Sequence, residues 1–237
     1  TQMSEILLQA KQISKHFGGV TALDKVDLTI KKGEIHCLMG ENGCGKSTLI
    51  KIISGFYRPD GGSITFEGKE YDRLSIAESI GLGIQVIYQD MSIFPNLTVA
   101  VNIAINNDLY NHRKLVNWKS VKSIAKEALD HIGIELPLQA VVGELSVADK
   151  QLIAIARAIL NNSKLIIMDE PTSALTRKEV DKLFKVIRQL QKEGISTLFV
   201  SHKLDEVFEI ADQFTVFRNG KLVVADSAKN INDEQFV

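Results

Sequence analysis

Three observations predict an α/β fold, a mixed sheet flanked by helices with a small antiparallel β part and an inserted helical part. The run Gly40-Glu41-Asn42-Gly43-Cys44-Gly45-Lys46-Ser47-Thr48 fits G-x-x-x-x-G-K-[ST] without a gap, between a short apolar strand and an apolar helix. Strand and helix signals alternate again after about residue 160. Between these two portions, from Asp90 to about Leu160, helical periodicity takes over.

The elements follow in order. Ile6-Leu7-Leu8 starts a strand, and Val26, Leu28 and Ile30 alternate with Asp27, Thr29 and Lys31 in a second. Lys32-Gly33 turns the chain into the strand Ile35 to Met39. After the glycine run, Thr48 to Ser54 reads as a helix closed by Gly55. Asp60-Gly61-Gly62 and Glu67-Gly68-Lys69 are turns around a strand from Ser63 to Phe66. Ser75 to Ile80 is a short helix, and Ile84 to Tyr88 a strand delivering Gln89. Asn117 to Ile132 sets Val121, Ile124, Ala125, Ala128, Leu129 and Ile132 on one face, with Gly133 as the stop. A further helix spans Val147 to Leu160. Then come a strand Lys164 to Met168, a helix Arg177 to Glu193, a strand Ile195 to Val200 and a short helix Lys203 to Ile210. Asn219-Gly220 between two apolar runs is a hairpin signal.

The chemistry of the glycine run points to a nucleotide triphosphate. Gly40, Gly43 and Gly45 let the backbone curl so that successive N–H groups point inward at phosphate oxygens. The helix that follows brings its positive dipole end to the same place. Lys46 supplies a mobile charge for the outer phosphates, and the Ser47 hydroxyl is suited to Mg²⁺. Leu165-Ile166-Ile167-Met168-Asp169-Glu170 is an apolar strand ending in two acids, and in a parallel sheet that end opens beside the glycine run. Asp169 is then a candidate holder of Mg²⁺, directly or through water, and Glu170 a candidate to orient or deprotonate an attacking water. Two solvated acids at a strand end are the plainer alternative.

Composition sets limits. The chain has 237 residues, a net charge of −1, 45% hydrophobic and 24% charged residues, values of an ordinary globular protein. No long basic run offers binding energy to nucleic acid, and no apolar segment approaches the roughly 20 residues that span a bilayer. Two cysteines, Cys37 and Cys44, exclude a disulfide framework. Cys44, near a helix N-terminus and a lysine, is expected to react with a maleimide and to be protected by Mg-ATP, and Cys37 to stay inert. Thr1-Gln2 ahead of Met3 reads as an expression remnant.

Ser146 begins the helix Val147 to Leu160 with a capping-box form, Asp149 standing at the third helical position. Leu145-Ser146 opening a helix that runs through Ala154-Ile155-Ala156-Arg157-Ala158, shortly before the acidic strand, resembles the signature motif of the ATP-binding cassette family. Met168-Asp169-Glu170-Pro171-Thr172-Ser173-Ala174-Leu175 looks like the family's second nucleotide motif and the loop after it. The resemblance implies that Gln89 senses Mg²⁺ and contacts a membrane partner, that His202 in Val200-Ser201-His202 touches the γ-phosphate, and that Phe17 stacks on adenine. Taken singly, Phe17 reads as core and His202 as a capping or surface residue.

Lys15-His16-Phe17-Gly18-Gly19-Val20-Thr21-Ala22-Leu23 and Phe94-Pro95-Asn96-Leu97-Thr98-Val99 look most like the ATPase subunits of bacterial monosaccharide importers, ribose and galactose types included. The resemblance implies one nucleotide-binding domain over 3–237 with a P-loop NTPase core (a RecA-like mixed sheet) at 36–62 and 161–237. It also implies a β subdomain from 5–35 and 63–88, and a helical subdomain at 90–160. Its ligands would be ATP and Mg²⁺, held by Phe17, Gly40, Asn42, Gly43, Cys44, Gly45, Lys46, Ser47 and Thr48, with Ser47, Gln89 and Asp169 on the metal and Glu170, His202 and Gln89 catalytic. Ser146 would close on ATP held by a second cassette, either a fused sister domain or a second copy, this chain being the first of two. Other implied partners are transmembrane permease subunits and indirectly a periplasmic or surface sugar-binding protein; the groove near Gln89, Phe94, Pro95 and Leu97 is a candidate seat for the permease, a local core cluster being the equal alternative. No nucleic acid is implied, and the location is the cytoplasmic face of the membrane. Val147 and Ala148 stand where the family has glycines, and Thr176 where it commonly has aspartate. Competing readings are a cassette ATPase acting on ribosomes or nucleic acid, a non-hydrolysing nucleotide sensor, and a small-molecule kinase, whose arginine-rich lid the scattered arginines do not supply.

Overall fold

The computed structural model describes residues 5–88, 93–110 and 117–228. The chain opens with two long strands, β1 (Ile6–Phe17) and β2 (Val20–Lys31), then β3 (Ile35–Gly40) and helix α1 (Lys46–Ile53). Strands β4 (Gly61–Phe66) and β5 (Lys69–Tyr71), helix α2 (Ile76–Gly81) and β6 (Ile84–Ile87) follow. Helices α3 (Val99–Tyr110), α4 (Trp118–His131) and α5 (Val147–Leu160) form the middle, with a 3₁₀ turn at Val142–Glu144. The last part alternates β7 (Leu165–Asp169), α6 (Arg177–Lys192), β8 (Ser196–Val200), α7 (Leu204–Ile210) and the hairpin β9 (Gln213–Arg218) and β10 (Lys221–Ser227).

Two sheets result. A four-stranded antiparallel sheet runs β2-β1-β4-β5, and a six-stranded sheet runs β10-β9-β3-β8-β7-β6, with β9, β3, β8, β7 and β6 parallel. The grouping of residues 63–88 with the antiparallel sheet is corrected at one strand. β6 pairs in parallel with β7, Ile84 beside Leu165 and Ile87 beside Met168, and so belongs to the large sheet. Periodicity reports which residues are apolar and says nothing of which strand lies alongside.

The large sheet is covered on both faces, which explains the near-continuous apolar runs of β3, β7 and β8. Alternate residues serve different cores. Cys37, Met39, Ile166, Met168 and Phe199 pack with helices α3 to α6, whereas Leu38, Leu165, Ile167, Leu198 and Val200 pack with α1 and the antiparallel sheet. Apolar side chains at helical spacing supply the other half of the first core: Val121, Ala125, Ala128 and Leu129 from α4, and Val180, Leu183, Phe184 and Ile187 from α6. α4 opens under an Asn117 cap whose side chain accepts from the N–H groups of Lys119 and Ser120.

The end of β1 is tied down by Asp60. Its carboxylate accepts from Lys15 Nζ at 2.9 Å and from the His16 N–H at 2.7 Å, while its own N–H donates to Ser14 O. These bonds, that of Lys15 first, hold the Asp60 carboxyl down at about 2. A carboxyl depressed in the folded state stabilises the fold fully above its ordinary range, and that contribution disappears as pH falls from about 4 through 2. The denaturant midpoint of Asp60→Asn should lie below the parent's at pH 7, with the gap narrowing at pH 3. A gap that stays constant between those pH values contradicts this account.

Candidate functional site

The register of the large sheet assembles the site. Leu38 and Asp169 both pair with Val200, so the carboxyl ends of β3, β8 and β7 lie side by side. Beyond the last pairs, the Ser201 N–H donates to Leu38 O at 3.3 Å and the Glu170 N–H to Val200 O at 3.2 Å. Three segments thereby meet at one sheet edge: the glycine run after β3, Asp169-Glu170 after β7, and Ser201-His202 after β8.

In the glycine run, Gly40 and Gly45 have φ of +148° and +108°. A Cβ at Gly40 would stand 2.4 Å from Phe217 O, and one at Gly45 2.5 Å from Ala22 O, so both positions exclude any side chain. Gly43, at φ +80°, faces open space. Glu41, Asn42 and Ser47 are exposed, Thr48 half-buried and Lys46 buried. Lys46 opens α1, and its Nζ donates to Gly40 O at 2.6 Å and Glu41 O at 2.9 Å. The ammonium therefore lies inside the curl of the loop.

Asp169 is half-buried, close to the Ser47 hydroxyl. Burial pushes its carboxyl above the ordinary range and the Glu170 charge adds to this, while Lys46 and the Ser47 hydroxyl pull the other way. Glu170 holds φ at +47°, a left-handed conformation that costs a non-glycine residue about 1–2 kcal/mol. Its N–H bond to Val200 and a bond from the Ser173 N–H to its carbonyl keep it there. His202 Nδ1 lies 3.5 Å from Glu170 Oε1. Thus Lys46, Ser47, Asp169, Glu170 and His202, singled out from separate stretches, come together.

The residues fit a polyphosphate and a hard divalent cation. Gly40 and Gly45, which no side chain could replace, turn the backbone tightly into the start of α1, where the N–H groups of a helix's first turn suit an anion. Ser47 and Asp169 offer adjacent oxygens. Such a pair suits Mg²⁺, an ion usually held by one or two protein oxygens together with phosphates and water.

Other expected residues sit around this edge. Phe17 is exposed at the β1–β2 tip, its ring centroid 5.2 Å from that of Tyr57 and 5.4 Å from Lys15 Nζ. It pairs with Val20, two residues from the Ala22 carbonyl that abuts Gly45, so the tip stands next to the glycine run. Tyr57 and Asp60, which shape this tip, carried no motif in the sequence. Ser146 caps α5, its hydroxyl accepting from the Asp149 N–H at 3.1 Å and donating to Asp149 Oδ2 at 3.0 Å. Of the two residues that stand for glycine, Ala148 is buried and Val147 exposed, so only Val147 adds bulk to the outer face of the helix start. Thr176 N–H and hydroxyl both donate to the Glu179 carboxylate, so this residue caps α6. Gln89 lies outside the described residues.

The expectation for Cys44 is overturned. Its side chain is 5% exposed, folded under the loop with Lys46 Nζ 3.8 Å from Sγ. Cys37 is fully buried, and burial followed by the Glu206 charge pushes its thiol far above the ordinary range. Both thiols should label slowly with a maleimide in the folded protein, whether or not Mg-ATP is added, and quickly in denaturant. Rapid labelling of one thiol under native conditions contradicts this.

The comparisons with known proteins agree with this geometry. The profile of the ABC transporter family matches residues 23–173. The chain is similar to a ribose import ATP-binding protein of Rubrobacter xylanophilus, 45% identical over 228 residues that make up 96% of the chain and 46% of that protein. It is similar to a galactose/methyl galactoside import ATP-binding protein of Photobacterium profundum, 42% identical over 236 residues, 99% of the chain and 48% of that protein. The chain thus spans about half the length of these relatives. Its fold is similar to the crystal structure, in the ADP conformation, of an ATP-binding cassette of an ABC transporter, with a TM-score of 0.84 and 29% identity, covering 95% of this chain and 94% of that one. With its glycine run, acidic strand end and His202 on one edge of a two-faced sheet, the chain belongs to the ABC transporter family.

Proposed function

We propose that this chain is the ATP-binding and hydrolysing cassette of an importer for a monosaccharide or a similar small solute. One observation carries the reading: Lys46, Ser47, Asp169, Glu170 and His202 converge on the carboxyl edge of β3, β8 and β7. Similarity to ribose and galactose import proteins supports the solute class.

The residues would act as follows. Backbone N–H groups of the glycine run and the Lys46 ammonium bind the phosphates, Lys46 leaving the carbonyls of Gly40 and Glu41 to do so. Ser47 and Asp169 would hold Mg²⁺, which when bound neutralises charge on the terminal phosphates. Glu170 orients a water and accepts its proton as the water oxygen attacks the γ-phosphorus and the bond to the β-phosphate breaks. His202, beside Glu170, presents its ring to the same phosphate, and Phe17 offers its exposed face to adenine.

The start of α5, capped by Ser146, would face the ATP of a second cassette and complete its site. ATP then contributes differential affinity for the closed pair, and hydrolysis releases it. Among the described residues no helix is long and apolar enough to cross a membrane, so the proposed permease contact is made at the surface. A cavity of about 200 Å³ lined by Phe56, Ile76, Ile80, Val86 and Tyr88 opens at β6. That cavity and, separately, the exposed ring of Phe94 offer apolar surface for the permease, which would place the chain on the cytoplasmic face. A net charge of −1 gives nucleic acid no comparable attraction.

The test is Glu170→Gln in the assembled transporter. Phosphate release should fall by roughly 10²- to 10⁴-fold while ATP binding persists. Unchanged turnover removes Glu170 from this role, and a parent assembly that accumulates no monosaccharide with ATP overturns the import reading.

A further inference from the structure

Glu206 is a carboxylate inside the protein that the hydrolytic scheme does not use. It is 3% exposed, on the first turn of α7, and its charge is felt by Cys37 in the strand that leads into the glycine run. A buried carboxylate is unfavourable unless donors surround it. Glu206 has three: the Thr172 hydroxyl at 2.8 Å and the Ser201 hydroxyl at 2.7 Å on Oε2, and Lys203 Nζ at 3.0 Å on Oε1.

The positions of these donors carry the argument. Ser201 and Lys203 are the residues on either side of His202, and the Lys203 N–H also donates to the Ser201 hydroxyl at 3.1 Å. Thr172 stands two residues after Glu170, and its carbonyl accepts from Lys203 Nζ at 3.4 Å. Thr172 and Ser201 are themselves buried, at 2% and 3% exposure, whereas His202 is half-exposed, its Nδ1 3.5 Å from Glu170 Oε1. The imidazole thus stands in solvent on a backbone fixed from both sides by one carboxylate. That carboxylate also grips the segment carrying the proposed base. A charge-assisted, fully donor-matched network of this kind is stiff, and removing its acceptor leaves several buried donors unmatched.

We propose that Glu206 is a positioning residue for the ATPase reaction, setting His202 and Glu170 at working distance by clamping Ser201, Lys203 and Thr172 together. The inference rests on the ATPase reading above. It assigns Glu206 no contact with nucleotide, so its loss acts on turnover and leaves nucleotide affinity in place.

The experiment measures steady-state phosphate release and Mg-ATP affinity for the assembled ATPase with Glu206→Gln, in the parent and in a His202→Ala background. Glutamine keeps the shape and one acceptor but turns a donor toward Thr172, Ser201 or Lys203. In the parent background kcat should fall by about 10- to 10²-fold, the scale of a displacement of roughly 1 Å at reacting groups, with KM changed less than about 3-fold. In the His202→Ala background the same change should cost at least about 3-fold less than in the parent, because one of the two groups it positions is gone. Full kcat in Glu206→Gln overturns the proposal, as does an effect undiminished by His202→Ala, which marks a general structural role. Should Glu206→Gln not fold, Ser201→Ala and Thr172→Val each remove one donor and should lower kcat at constant KM, and normal kcat in both overturns the proposal. A parent assembly with no turnover refutes the ATPase reading itself, a result distinct from an active parent whose variants are unaffected.

Discussion

The parallel pairing of β3, β8 and β7 is the constraint on which the rest of the molecule depends. Three segments far apart in sequence can share one ligand only if their strands end at the same level, and the pairing of Leu38 and Asp169 with the same Val200 sets that level. Because side chains alternate, a slip of one residue would exchange the faces of Leu38, Met168 and Phe199 and bury the wrong set in each core. Packing on both faces therefore fixes the geometry of the edge. The acidic pair and the histidine are placed by apolar residues that never touch a phosphate.

Charge at that edge is unevenly distributed. Asp169 is raised by burial and by its neighbour Glu170, while Lys46 and the Ser47 hydroxyl draw it back. A divalent cation beside Ser47 would relieve the repulsion between the two carboxyls, so the site gains most from a ligand that brings negative phosphate to Lys46 and positive metal to Asp169 together. The left-handed backbone of Glu170 belongs to the same picture. A residue held in a sparsely populated conformation by bonds to Val200 and Ser173 is aimed before any ligand arrives.

Much of this was legible in the sequence, for reasons that can be named. The glycine run carries its own chemistry, and Gly40 and Gly45 are irreplaceable where the pattern demands glycine. α5 spans Val147–Leu160, bounded by the Ser146 cap that its sequence announces. β7 ends in acid after four buried residues, as an apolar run before Asp169-Glu170 suggests. What escaped was non-local. β6 reads locally like any short strand, and only its pairing with β7 assigns it to the large sheet. Cys44 has the neighbours of a reactive thiol, yet the turn that puts it beside Lys46 also folds it out of solvent. Asp60 and Glu206 belong to no motif, since their partners lie in Lys15 and His16 for one and in Thr172, Ser201 and Lys203 for the other.

On the proposed function, the Lys46 ammonium, cradled by the loop's own carbonyls, is the group that a nucleotide's phosphates would recruit. The most direct measurement is a crystal structure of the folded chain with Mg²⁺ and a non-hydrolysable ATP analogue. Lys46 Nζ should then have moved from Gly40 O and Glu41 O onto the β- and γ-phosphate oxygens, with the ion between Ser47 and Asp169. A nucleotide bound elsewhere, or Lys46 still on both carbonyls with the analogue in place, would contradict it.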